Sequence, residues 1–243
     1  MCIRDSPAVS AGQEVDKTAF VKGMSQAQTN AKTFAMDMDI DVTAAGTAQK
    51  MKLVGAVDSS NPASPKMKAT ITMAILPEPM EMLMVDQNIY IKMSMLGNKY
   101  MKMGLDDLAK QSGQDVTGLM DPSKQPERQM SAITKVVYVG EEEVSGVKTK
   151  HYTATMDGEA AVKMSGQSLP SSVTLGKAIP MNLWLDEQNR PRKLAMDMTI
   201  GEKDSMKMVG TMSKFGEPVT VTAPPASEVT TAPNMPAAPS KAS

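Results

Sequence analysis

Apolar and polar residues alternate along several short segments of this chain. In Phe34–Val42 the even-numbered positions are Phe, Met, Met, Ile and Val, and the odd-numbered positions are one Ala and three Asp. A period of two residues predicts a β-strand with one apolar and one polar side, because a helix would spread these residues around its circumference. The pattern recurs in Met67–Met73, Leu194–Ile200 and Met206–Met208. One face of the predicted sheet is therefore rich in methionine, and the functional question is what covers it.

Turn-forming residues divide most of the chain into antiparallel strands. Ser145-Gly146 stands between two alternating segments and predicts a hairpin turn. A meander of such strands indicates a curved sheet or an open barrel. The predicted strands are Phe34–Val42, Lys50–Val57, Lys66–Ala74, Met80–Asp86, Asn88–Met93, Lys99–Met103, Lys135–Val144, Val147–Met156, Ala178–Asp186, Arg192–Ile200 and Ser205–Phe215.

Helical periodicity is confined to a few segments, which makes the predicted fold class α+β. Helices are predicted over Val15–Thr29, Leu105–Ser112 and Pro122–Ile133, and a short one over Glu159–Met164. Residues 15–222 are predicted to form a single domain. Residues 1–14 form a leader or an artefactual start, because the first six residues lack the hydrophobic region of a signal peptide. Residues 223–243 are rich in Pro, Ala, Ser and Thr, and we expect this tail to be disordered.

Composition excludes several classes of protein. With 26 basic and 27 acidic residues the net charge is -1, so nothing indicates a nucleic-acid partner or a polybasic membrane patch. A single Cys allows no internal disulfide. No apolar run approaches the roughly 20 residues that span a bilayer. Methionine occurs 25 times whereas aromatic residues make up only 3%, so the apolar surface consists largely of flexible, polarisable side chains that repack easily.

The residues that could carry out chemistry do not form a catalytic constellation. His151 lies inside a predicted strand, where a surface or rim position is expected. Ser145–Lys148 matches a Ser-x-x-Lys pattern, but in a hairpin turn and not at the start of a helix. Asp37, Asp39 and Asp41 share a strand side as solubilising charge. The sequence contains no dinucleotide-binding, P-loop, zinc-spacing or EF-hand motif. It therefore predicts no enzyme, no catalytic residue, no cofactor and no metal site.

Three segments resemble a known family. They are Lys99–Asp107, the hairpin within Lys135–Asp157 that contains Val-Gly-Glu-Glu-Glu-Val-Ser-Gly-Val-Lys-Thr-Lys-His-Tyr, and Asn182–Lys193, which contains Leu-Trp-Leu-Asp-Glu-Gln-Asn-Arg-Pro-Arg-Lys. Together they resemble the LppX/LprAFG lipoproteins of the actinobacterial envelope, which are relatives of the LolA/LolB lipoprotein carriers. The resemblance extends over roughly Val15–Pro225. These segments are structural signatures and not catalytic motifs, so they say more about fold and general role than about the ligand.

The resemblance implies a strongly curved antiparallel half-barrel of the LolA type, with helices covering its concave side. It also implies an apolar cavity that holds the acyl chains of a lipid or lipoglycan. Such proteins are anchored by a lipidated cysteine to the outer face of the cytoplasmic membrane and move lipids across the envelope, possibly with an envelope transporter. This chain departs from the family pattern in two respects. The export and lipidation signal is missing, and Met occupies many positions where Val, Leu or Ile is expected.

On these grounds we expect a non-enzymatic lipid carrier, with Leu105–Ile133 as a lid over the cavity. An envelope lipid sensor that signals to a protein partner is an alternative. A methionine-rich copper protein is another, since thioethers suit Cu(I), with Met80–Met84 and Met93–Met95 as its candidates. The predicted cavity lining consists of apolar residues of the alternating strands: Met36, Met38, Ile40, Met51, Leu53, Met67, Ile71, Met73, Met82, Met84, Ile89, Ile91, Leu183, Met196, Met198 and Met208.

Overall fold

The computed structural model describes residues 10–44, 46–94, 97, 99–112, 132–160, 178–200 and 204–231. Within these ranges twelve strands form one sheet, accompanied by two α-helices, α1 at Lys17–Ala31 and α2 at Leu105–Ser112. The strands are β1 Thr33–Ala44, β2 Thr47–Asp58, β3 Lys66–Met73, β4 Met80–Val85, β5 Asn88–Lys92, β6 Tyr100–Gly104, β7 Ile133–Val144, β8 Val147–Asp157, β9 Ala178–Leu185, β10 Pro191–Ile200, β11 Asp204–Ser213 and β12 Val229–Thr231.

The strand order is β12-β6-β5-β4-β3-β2-β1-β11-β10-β9-β8-β7. All neighbouring strands are antiparallel except β12 and β6, which run parallel. The sheet is curved and unclosed, and β12 and β7 form its two edges. The predicted α+β half-barrel is therefore confirmed, and each of the eleven predicted strands has a counterpart among β1–β11.

Helix α1 begins and ends where local hydrogen bonds replace the helical ones. The Asp16 carboxylate accepts a hydrogen bond from the backbone N–H of Ala19 at 2.7 Å, which satisfies one of the free donors of the first turn. At the other end Lys32 adopts a φ of 60° and donates its N–H to the carbonyl of Gln28 at 3.2 Å. The helix thus spans Lys17–Ala31, two residues later than predicted at each end.

Two-residue turns set the register of two hairpins. At the predicted β7–β8 turn, Ser145 and Gly146 both have positive φ, of 50° and 80°. Asp86 and Gln87 have φ values of 51° and 57° between β4 and β5. Turns with two positive φ angles match the right-handed twist of the strands they join, so they favour tight hairpins.

Gly55 allows two backbones to approach closely in the middle of the sheet. It lies in β2, directly opposite Met36 of β1 and Ala69 of β3. A Cβ added to Gly55 would stand 2.6 Å from the backbone oxygen of Lys68 and 3.1 Å from the Cβ of Ala69. No side chain fits there, so glycine permits the sheet to bend at this point.

The chain before α1 belongs to the fold, which corrects the predicted boundary at residue 15. Gly12 donates its N–H to the carbonyl of Tyr138 at 2.8 Å, and Tyr138 donates back to Gln13 at 2.9 Å. Val15 donates to Val136 at 3.0 Å. These bonds satisfy backbone groups of β7 that an edge strand would otherwise leave without protein partners.

The chain after β11 crosses the sheet, and we call residues 214–231 the C-terminal strap. Its Val219 and Val221 pack with Leu83, Tyr90 and Tyr100 on the side of the sheet opposite to the methionines. The strap then forms a 3₁₀-helix at Ala226–Glu228 and ends as β12 beside β6. The prediction that the chain is disordered from residue 223 onward is therefore wrong for residues 226–231. Their order comes from strand pairing, which composition does not reveal.

The predicted helices after β6 have mixed outcomes. Helix α2 has the bounds predicted for it, Leu105–Ser112. The end of the second predicted helix is wrong, because Ile133 is buried and begins β7. The rest of that helix lies outside the described residues except Ala132, as does most of the predicted lid. Of the predicted helix Glu159–Met164, residues 161–164 also lie outside them.

Asp186 organises the β9–β10 turn from a buried position. Its side chain is only 4% exposed, and the Nε atoms of Arg190 and Arg192 each donate to its Oδ2 at 2.8 Å. The backbone N–H groups of Gln188 and Arg190 donate to Oδ1, both at 3.0 Å. Burial alone would raise the pKa of Asp186, but the hydrogen bonds from Arg190, Arg192 and Gln188 together lower it below its ordinary value.

Replacing Gly55 with alanine is expected to destabilise the fold by about 2 kcal/mol, because the new methyl group overlaps the β3 backbone. Urea unfolding of the purified protein measures this loss. Gly140→Ala is the matched control, since a Cβ there meets no atom within 4 Å. Equal midpoints for the two variants would contradict the role of Gly55.

The Asp186→Asn change is expected to cost about 3 kcal/mol, because it leaves Arg190 and Arg192 without their anionic partner. The native pKa is below that of the unfolded chain, which is about 4. The contribution is therefore present at neutral pH and is lost as the pH falls from about 4 through the native pKa. Thermal unfolding measured against pH should show a weaker acid dependence in D186N than in wild type. Glu187→Gln, at the exposed neighbouring carboxylate, should behave like wild type.

Candidate functional site on the apolar face of the sheet

Strand register places all sixteen predicted lining residues on one side of the sheet, which we call the apolar face. Met38 lies opposite Leu53 of β2 and Gly210 of β11, and Gly210 lies opposite Leu194 of β10, whose other neighbour is Leu183. Directly opposed residues share a face, and so do residues two apart on one strand. Further pairs connect the remaining members: Ile40 with Met51 and Met208, Met51 with Met73, Leu53 with Ile71, Met67 with Met84, Met82 with Ile91, Met84 with Ile89, and Met208 with Met196.

Four of the sixteen side chains are buried: Ile71, Met84, Ile89 and Leu183. The other twelve are partly buried. Sequence reasoning left out further residues of the same face. The signal that would have found them is the same alternation, carried two residues further along each strand. They include Val42, Met80, Met101, Met103, Met181, Leu194, Met206 and Met212.

Helix α1 covers one end of the apolar face. Val21, which is fully buried, and Met24 pack against buried residues of β7, β8 and β9, among them Val136 and Leu183. The partly buried Phe20 adds an edge-on contact to Tyr152 with ring centroids 5.0 Å apart. This is the best-packed part of the described molecule, and it fixes α1 on the sheet.

Helix α2 packs on the same face at the other end. Leu105 is buried with Met84 and Ile89, and Leu108 joins this group together with Met67. Because α1 and α2 contact strands far apart in the sheet order, the strands between them (β11, β1 and β2) form the middle of the face.

The middle of the apolar face offers a continuous, partly buried hydrocarbon and thioether surface. Met38, Ile40, Met51, Leu53 and Met208 form it, and all of them are partly buried. None belongs to the buried clusters under α1 or α2. Such a surface can exclude water from an apolar ligand, and flexible methionines can adapt to its shape.

Charged residues of the central strands lie on the opposite side. Lys52 Nζ is 2.8 Å from Asp37 and 3.6 Å from Asp39, so β1 and β2 neutralise each other's charge there. The hydrogen bond with Asp37 raises the pKa of Lys52. These aspartates were predicted to be solubilising charge, and they lie beside a lysine. No group of three or more His, Cys, Asp or Glu in the described ranges is placed to hold a metal ion.

His151, the only histidine, belongs to a polar cluster on that opposite side. Its ring stacks on Trp184 with centroids 4.3 Å apart, and its Nδ1 and Nε2 atoms lie 2.9 Å from Glu142 and 3.0 Å from Asn182. Trp184 donates its Nε1–H to Glu142 at 2.7 Å. This bond and the contact with His151 lower the pKa of Glu142. The cluster joins β7, β8 and β9, and it explains the partly buried position of His151 structurally.

A hollow of about 500 Å³ lies beneath the C-terminal strap, also on the side away from the methionines. Its lining mixes small residues such as Ala35 and Ala56 with the charged Lys68, Glu81 and Glu217. Mixed charge at the wall makes the hollow a poor match for hydrocarbon, so the apolar face is the better candidate for an apolar ligand.

The model of the LppX_LprAFG lipoprotein family matches residues 16–221. Two solved structures share the fold. LprF from Mycobacterium bovis is 14% identical over 85% of this chain and 96% of its own, with a TM-score of 0.58. Lipoprotein LppX from Mycobacterium tuberculosis is 18% identical over 84% of this chain and 97% of its own, with a TM-score of 0.52. No curated protein matches the chain in sequence. In the described part of the chain, neither helix is long and apolar enough to cross a bilayer.

Truncating Val21 to alanine is expected to destabilise the protein by about 2 kcal/mol, because it leaves a cavity between α1 and the sheet. Chemical unfolding followed by circular dichroism measures the loss. Lys22→Ala, one residue further along the same helix and exposed, is the control and should change stability by less than about 0.5 kcal/mol. Comparable losses in the two variants would show that α1 does not depend on this contact.

Proposed function

The chain belongs to the LppX/LprAFG lipoprotein family, and on that premise we propose that it is a non-enzymatic carrier of lipid or glycolipid across the cell envelope. The observation that supports the proposal is the apolar face itself. It continues through β11, β1 and β2 with partly buried side chains, between two helices that pack on either end. We propose that acyl chains lie on this middle part and are sheltered there from water.

The dimensions of the face suit an acyl chain. Strand β1 has twelve residues, which at about 3.3 Å per residue extend over roughly 40 Å. Burying one methylene contributes about 0.8 kcal/mol, so a 16-carbon chain carries roughly 12 kcal/mol of transfer free energy. A lipid with two or three such chains leaves a bilayer too slowly without a carrier. The carrier must provide a surface about as apolar as the membrane, so that loading and unloading are nearly balanced.

Methionine suits this balance better than branched residues. Its unbranched thioether side chain adopts many rotamers at similar energy, so one face can accommodate chains of different length and kink. Met38, Met51 and Met208 contribute this property in the middle of the face. We propose that this adaptability, and not a shape matched to one ligand, determines what the protein carries.

A lipoprotein family implies an envelope-associated protein outside the cytoplasm. We propose further that the protein acts at the outer face of the cytoplasmic membrane, held there by a lipid anchor. Its partners would be an acylated lipid or lipoglycan, the membrane surface and an envelope transporter.

The central test compares two neighbouring residues that face opposite sides of the sheet. Leu53 lies on the apolar face, whereas Val54 is 45% exposed on the other side. Because a carboxylate on the apolar face is costly to bury beside hydrocarbon, L53D is expected to lower the amount of co-purified lipid at least tenfold. V54D is expected to retain the wild-type amount. Native mass spectrometry and lipid extraction after mild purification measure both, and circular dichroism checks folding.

Three further outcomes decide between the alternatives. Absence of lipid from the wild-type protein, or equal lipid content in L53D and V54D, would contradict lipid binding on this face. Bound lipid that does not transfer between vesicles would favour an envelope lipid sensor over a carrier. Met38→Leu should keep its lipid, since leucine is equally apolar; loss of ligand in that variant would indicate coordination by the thioether.

A further inference from the structure

The turn between β3 and β4, residues 74–79, carries an apolar side chain into solvent. Ile75 is 66% exposed, more than any other large hydrophobic residue reported exposed in the described part of the chain. Leu76 donates its N–H to the carbonyl of Met73 at 3.1 Å, which closes the first part of the turn. Pro77 and Pro79 follow and restrict the backbone. Ile75 is therefore held outward by a stiff turn.

This turn stands at an end of the sheet where charge is scarce. Because β1 to β4 are successive antiparallel neighbours, the β1–β2 and β3–β4 turns lie at the same end. The segment Val42–Gln49 has no charged residue, and residues 74–79 have only Glu78. At the opposite end the turns contain Asp58, Asp86 and the Asp186–Arg190 segment. The two ends of the sheet thus differ in polarity.

The apolar face continues into this uncharged end. Ile40, Met51 and Met73 are directly opposed across β1, β2 and β3, and Met73 is the last residue of β3 before the turn. Met80 resumes the same face where β4 begins. Partly buried methionines therefore lead directly to the exposed Ile75.

We propose that the β3–β4 turn is a membrane-docking element, which inserts Ile75 into the interface of a lipid bilayer. An exposed apolar side chain at an end with little charge fits a hydrocarbon boundary better than water. The orientation brings the methionine end of the apolar face against the bilayer. The docking rests on the proposed lipid carriage only for its purpose, since contact with a bilayer can be measured without any cargo. A single inserted side chain gives brief, reversible contact, which suits a carrier that must leave again.

The charge pattern specifies the membrane that this turn prefers. Glu78 is the only charge in the turn, and no basic residue accompanies it to attract anionic headgroups. The probe is therefore a vesicle of zwitterionic phosphatidylcholine. Adding anionic lipid is expected to weaken the contact and not to strengthen it.

The test uses the full chain and vesicle sedimentation. Ile75→Asp is expected to lower the vesicle-bound fraction at least fivefold, and to slow lipid transfer between vesicles, while the lipid content of the purified protein stays at the wild-type level. Val139→Asp is the matched control, because Val139 is 40% exposed on the edge strand β7 and lies away from this turn. Equal vesicle binding by I75D and wild type would overturn the proposal.

A second variant reports insertion directly. Ile75→Trp should be quenched by phosphatidylcholine brominated on its acyl chains, whereas the wild-type protein, whose only tryptophan is the buried Trp184, should not. Absence of quenching, or self-association of the wild type that I75D abolishes, would overturn docking and assign the turn to contacts between copies. If the protein carries no lipid but I75D still loses vesicle binding, the docking stands and the proposed carrier function fails.

Discussion

The structure depends on one constraint, which is that a single register holds across the whole sheet. Because side chains alternate along a strand, a shift of one residue between any two strands would move one set of methionines to the charged side. Turns with two positive φ angles fix the pairing at Asp86-Gln87 and Ser145-Gly146. Lys52, placed between Asp37 and Asp39, favours the same pairing of β1 with β2 from the opposite side. The apolar face is continuous because these local devices agree.

The two sides of this unclosed sheet are covered in different ways. On the apolar face, α1 and α2 bury the outer strands and leave the middle strands partly buried. On the other side, the C-terminal strap packs Val219 and Val221 over strands near one edge. Both edges receive backbone partners from the chain itself, from residues 12–15 at β7 and from β12 at β6. Stability therefore comes from the periphery, so the middle is free to serve a ligand.

Membership of the LppX/LprAFG family and the arrangement of the face support the same proposal by independent routes. Similarity at 14% and 18% identity to LprF and LppX concerns the fold alone. What this chain adds is the chemistry of its own face, in which methionine replaces most branched residues. A surface of that kind favours ligands by hydrophobicity and accommodates their shape, which is the behaviour a carrier needs to release what it binds.

The sequence by itself determined the strands, the shared face of the sixteen predicted residues and the α+β class. It could do so because period-two alternation is a local property that survives folding, as Phe34–Val42 illustrates. Only the tertiary structure decided which side α1 and α2 cover, since alternation distinguishes two faces but does not say which one is packed. The order of residues 226–231 and the backbone approach at Gly55 were equally invisible, because both depend on segments distant in sequence. Long-range pairing, and not local preference, made those choices.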